Sequence, residues 1–85
     1  MKSESLEFLK NLIEGHSPSG YENESAKIWK KRTSKFAESI KVDIHGNVIG
    51  AINSGASPKI MLAGHIDEIG YMVRYIDENG YIFFS

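Results

Sequence analysis

The sequence predicts an α/β fold in which two helices pack on a mixed β-sheet. Three features of the chain point there. Apolar residues recur at helical spacing up to Ile40, strand-like alternation takes over from Lys41, and Gly, Pro, Ser and Asn collect between the segments.

The first helix is expected from Leu6, Leu9, Leu12 and Ile13, with Phe8 alongside. Ser3 or Ser5 stands where an N-cap belongs, and Gly15 where a C-terminal cap glycine belongs. His16-Ser17-Pro18-Ser19-Gly20 then reads as a loop. A second helix should place Ala26, Trp29, Phe36, Ala37 and Ile40 on one side and Lys27, Lys31 and Lys35 on another. With Lys30 and Arg32 this makes a basic stripe. No aromatic or glycine-rich binding element accompanies it, so it reads as a solvated face whose Lys stems cover apolar edges.

Lys41–Ile44 and Val48–Ile52 flank His45-Gly46-Asn47 and predict a β-hairpin. Asn53 to Lys59 is a loop. Ile60-Met61-Leu62-Ala63-Gly64 is a continuous apolar run, the pattern of a strand covered on both faces. After His65-Ile66-Asp67-Glu68, a strand is expected over Ile69–Ile76. Asp77-Glu78-Asn79-Gly80 turns it, and Tyr81-Ile82-Phe83-Phe84 starts back. Residues 43–85 carry five acids against two bases, whereas residues 1–42 are net positive.

Composition narrows the function classes. Eighty-five residues make one domain at most. A net charge of −1 argues against a nucleic-acid or anionic-membrane protein driven by bulk electrostatics. No apolar run reaches the roughly 18 residues of a membrane span. Met1-Lys2-Ser3-Glu4-Ser5 leads into no apolar stretch of the signal-peptide kind. The absence of Cys excludes disulfides and thiolate metal sites and fits a reducing compartment, so a cytoplasmic location is expected. Both the Tyr81–Phe84 strand and the Ile60–Gly64 strand need neighbours and cover. The chain therefore reads as a truncated catalytic fold.

His65, Asp67 and Glu68 are the candidate chemistry. They follow an apolar strand, where α/β folds place reactive groups. In extended chain residues 65 and 67 share a side, so Asp67 can fix the tautomer of a metal-binding His65 and raise its basicity. Glu68 projects to the opposite side and is not taken as a ligand. His16 and His45 read as exposed loop residues.

The run Ile60-Met61-Leu62-Ala63-Gly64-His65-Ile66-Asp67-Glu68-Ile69-Gly70-Tyr71-Met72-Val73 resembles the metal-site strand of the glutamyl, or tetrahedral (TET-type), metalloaminopeptidases. The amino-terminal helix, the Ser17-Pro18-Ser19-Gly20-Tyr21-Glu22 loop and Asp43-x-x-Gly46-Asn47 occur in that family's order. The resemblance implies the first part of an aminopeptidase-type α/β/α catalytic domain. Residues 1–85 would be its amino-terminal segment, ending near the entrance to an inserted dimerisation domain.

It further implies a two-metal enzyme, using zinc or cobalt, that hydrolyses amino-terminal residues from peptides. His65 would ligate one metal, and Asp67 would be the catalytic-centre carboxylate that orients it. The family's bridging Asp, its paired Glu including the general base, its further carboxylate and its last His match no position of this chain. At most one partial metal site is therefore expected, and the chain alone should be inactive. Its expected partners are peptides, the remainder of the catalytic chain and, when complete, further copies in dimers up to dodecamers; nucleic acid and membrane are not expected.

Two alternatives stand beside this reading. The chain is otherwise a non-catalytic interaction module pairing through its exposed carboxyl-terminal strand. A glycosidase would need paired carboxylates flanking a sugar site, and the adjacent, diverging Asp67 and Glu68 do not form such a pair.

Overall fold

The computed structural model describes residues 2–85. Helix α1 spans Ser3–Glu14 and helix α2 spans Asn23–Thr33; strands β1 (Ser39–Val42), β2 (Val48–Ala51), β3 (Val73–Ile76) and β4 (Ile82–Phe84) follow. The expected α/β class holds. The strands form two separate antiparallel pairs, β1–β2 and β3–β4, in place of one mixed sheet. No helix among the described residues is long and apolar enough to cross a membrane.

Helix α1 begins without the expected serine cap: Lys2 occupies the cap position in extended conformation and no side chain bonds the first turn. Gly15 likewise does not adopt the left-handed cap conformation, having φ −65° and ψ 144°. Its smallness serves packing. A Cβ there would lie 2.6 Å from the Oγ of Ser25 on α2, and Ser25 is fully buried, its hydroxyl 3.5 Å from the Leu12 carbonyl. The segment after α1 thus lies close against α2 at a position where neither residue has bulk.

Two members of the basic stripe turn toward α1. Arg32 Nη1 meets Glu4 Oε1 at 2.9 Å, with its guanidinium 5.3 Å from the centre of the Phe8 ring, and Lys35 stands 3.8 Å from the same carboxylate. Such partly exposed pairs contribute at most about 1 kcal/mol. Helix α2 ends earlier than the apolar spacing suggested. Ser34 donates its hydroxyl to the Lys31 carbonyl, and the chain turns so that Ile40 falls in β1 rather than on the helix.

The first hairpin forms as expected, but its turn starts earlier: β1 ends at Val42, and Ile44, expected in the strand, lies in the turn. Val42 pairs with Val48, and Gly46 N–H donates to the Asp43 carbonyl at 3.0 Å with Gly46 at φ +88°. Asp43 Oδ1 accepts the amides of His45 and Asn47, each at 2.9 Å. The second hairpin repeats this device: Gly80 N–H donates to the Asp77 carbonyl, Gly80 has φ +86°, and Asp77 Oδ1 accepts the amides of Asn79 and Tyr81. Both turns therefore run on Asp-x-x-Gly chemistry, in which the carboxylate accepts two main-chain amides of the turn and glycine takes the left-handed position.

The first hairpin rests on α2 through Gly50, where a Cβ would come 2.7 Å from Thr33 Cγ2 and 3.5 Å from the Trp29 ring. In the second, Tyr75 stacks on its cross-strand partner Phe83 with ring centres 4.6 Å apart. Tyr71 meets Phe84 edge to face at 4.7 Å. The expected strand Ile69–Ile76 is ordered into the ladder only from Val73, although Met72 and Ser85 exchange both main-chain hydrogen bonds just beyond it.

Ile60–Gly64, expected as a doubly covered strand, is not one among the described residues. A strand exists by pairing, and the four strands present satisfy one another within their hairpins. Ile60, Met61 and Leu62 are 84%, 87% and 95% exposed. No hydrophobic side chain among the described residues is buried; Ser17, Ser25 and Thr33 are the buried polar ones. The radius of gyration, 17.4 Å, exceeds the roughly 12 Å expected of a compact chain of this length.

Candidate functional site

The site forms where two distant loops meet. Ser17-Pro18-Ser19 runs parallel to Glu68: Glu68 N–H donates to the Ser17 carbonyl at 2.8 Å, and Ser19 N–H donates to the Glu68 carbonyl at 3.2 Å. Ser17 is only 5% exposed. Pro18 lies against Gly70, where a Cβ would sit 2.6 Å from the proline Cβ, so this contact requires glycine. Glu68 takes part in this contact through its backbone.

This seating puts Ser19 beside the motif. Ser19 Oγ donates to Asp67 Oδ2 at 2.5 Å, and His65 Nδ1 lies 3.1 Å from both Asp67 Oδ1 and the Asp67 carbonyl. The Ser19 hydroxyl, then the His65 ring, hold the Asp67 carboxyl below its ordinary value. Asp67 is therefore ionised at neutral pH and can only accept hydrogen bonds, so Nδ1 is the protonated nitrogen of neutral His65. Its lone pair is then at Nε2. The His65 side chain is 86% exposed and Asp67 40%.

Thus the structure brings His65 and Asp67 together as the spacing predicted and adds Ser19, which sequence reasoning placed in a loop and gave no role. The only signal for it was the Ser17–Glu22 motif itself. His16 and His45 are exposed. No three His, Asp or Glu side chains converge as a metal site among the described residues.

An open hollow of about 330 Å³ lies between Pro18, Ser19, Tyr21, Gly70 and Tyr71, reaching Asp67 only through the Ser19 hydroxyl that bonds it. A larger one of about 620 Å³ lies between the helices around Glu4, Phe8 and Arg32, away from His65 and Asp67.

These features define an α/β segment that presents a histidine–carboxylate pair at the meeting of two loops. A crystal structure of a TET aminopeptidase from the marine sediment archaeon Thaumarchaeota archaeon SCGC AB-539-E09 matches with a TM-score of 0.86 at 36% identity, covering 98% of this chain and 23% of that one. Residues 46–85 match the family model described as M42 glutamyl aminopeptidase.

Among curated relatives, a lysyl aminopeptidase from Pyrococcus furiosus is 40% identical over 77 residues, 89% of this chain and 22% of the relative. A Pyrococcus abyssi protein, provisionally named a LysW-lysine/LysW-ornithine hydrolase, is 43% identical over 72 residues, 84% of this chain and 21% of the relative. The chain spans about a fifth of the length of these curated relatives.

Proposed function

We propose that this chain supplies the His65 side of the metal centre of an aminopeptidase that removes amino-terminal residues from peptides. The observation that carries the reading is the His65–Asp67 pair, in which Asp67 accepts a hydrogen bond from Nδ1–H and leaves Nε2 free to bind a cation. Zinc or cobalt, when bound as a pair, supplies an activated water and a polarised scissile carbonyl. His65 would hold one of these ions through Nε2, and Asp67 would fix the ring.

A catalytic zinc takes three protein ligands, and the described residues bring no such group together. The remaining ligands and the general base are assigned to the remainder of the catalytic chain, which is the partner this function requires. Residues 1–85 alone would then be inactive. The interaction-module alternative is not favoured: the names of the relatives are enzyme names, and β4 already uses one edge against β3.

The test adds zinc or cobalt to purified residues 1–85. The His65 ring resonances should respond, with no turnover of aminoacyl-4-nitroanilides. Metal-dependent turnover by this chain would overturn the assignment of the missing groups, and a silent His65 would overturn its role as ligand.

A further inference from the structure

We infer that Ser19 is a positioning residue whose hydroxyl, acting through Asp67, sets the His65 ring so that Nε2 is the nitrogen offered to a cation. The inference rests on the reading of His65 as a ligand and extends it to a residue 46 positions earlier.

A carboxylate is free to turn about its terminal torsion, which is broad and nearly two-fold. Asp67 with only the imidazole as partner could exchange its oxygens and swing away from the ring. Ser19 removes that freedom by claiming Oδ2 at 2.5 Å, so Oδ1 is left facing Nδ1 at 3.1 Å. The two contacts divide the carboxylate between them. The hydroxyl must be the donor to Oδ2, since an ionised carboxylate has no hydrogen to give.

The main chain places the hydroxyl there. Two hydrogen bonds between Ser17–Ser19 and Glu68 clamp the loop one residue beyond Asp67. Pro18 against Gly70 fixes its lateral position. Ser17 is buried beneath. Side-chain truncation at position 19 leaves every one of these main-chain contacts in place, so the hydroxyl can be tested apart from the loop.

The experiment compares residues 1–85 with S19A, S19T and H65A. Its readouts are the long-range proton–nitrogen spectrum of the His65 imidazole without metal, zinc affinity measured by titration calorimetry, and exchange of the Glu68 amide. S19A should shift His65 from the Nε2-lone-pair tautomer toward a mixture and weaken zinc about tenfold. S19T, which keeps a hydroxyl, should restore both, with Glu68 exchange unchanged in either variant. A wild-type tautomer ratio in S19A, or an S19T defect equal to that of S19A, overturns the role of the hydroxyl. Zinc affinity unchanged in H65A overturns the ligand reading instead, while the metal-free tautomer measurement still judges Ser19.

Discussion

Gly70 and Pro18 are in direct contact, with no room for even one carbon between them: a Cβ on Gly70 would stand 2.6 Å from the proline Cβ. The proline ring is rigid and its loop is tied to Glu68 on either side. G70A must therefore push the loop away, at a cost of about 1–3 kcal/mol. Exchange of the Glu68 amide should accelerate tenfold or more, and the His65 ring resonances should move. Unchanged Glu68 protection in G70A would show that the loop yields freely.

Gly50 makes the corresponding contact between the first hairpin and α2. Thr33, only 6% exposed, has its methyl 2.7 Å from where a Gly50 Cβ would lie. G50A should loosen this junction by about 1–3 kcal/mol. Trp29 is the single tryptophan, so its emission should shift to the red as the hairpin lifts from it. Emission identical to the wild type would contradict this packing.

The turn at Asp43 should be sensitive to acid. Hydrogen bonds from the Asn47 side chain, then from its amide and that of His45, hold the Asp43 carboxyl below its ordinary value. A lowered folded-state value means that the stabilisation is complete above the unfolded carboxylate range, about pH 4, and is lost as pH falls through the lowered value. The His45 and Asn47 amide resonances should titrate together in that acidic window. In D43N they should not titrate there, and a persistent transition would assign it to another group.

Residues 1–85 should bind a hydrophobic dye and melt over a broad range. Among the described residues no apolar side chain is buried, and Leu62, Ile44 and Ile69 are all more than 90% exposed. The driving force for a cooperative transition, burial of apolar area, is therefore small. A sharp calorimetric peak without dye binding would refute this.

The sequence was most legible where contacts are local. Asp43 and Gly46 lie within one turn, and their residue types alone specify the hairpin conformation. His65 and Asp67 share a side because the side-chain period of extended chain is two, and they meet as expected. Gly15 misled, since a glycine following a helix serves either a left-handed cap or close packing, and Ser25, which decides between them, lies on another helix. Ile60–Gly64 misled for a related reason: its apolar run specifies burial, but a strand needs a partner whose identity the run does not encode. Ser19 escaped notice because its partner is 48 residues away.

That same separation sets an order of events. The two Asp-x-x-Gly hairpins close short loops, and hairpins of this kind form in roughly 1–10 μs. Joining Ser19 to Asp67 closes a loop of 48 residues, which costs about 2 kcal/mol more in chain entropy than closing a hairpin turn. The histidine's final orientation is thus among the last structure acquired during folding. A chain whose hairpins are formed can still have an unset imidazole, so under the role proposed for His65 cation capture would mark the end of maturation rather than its start.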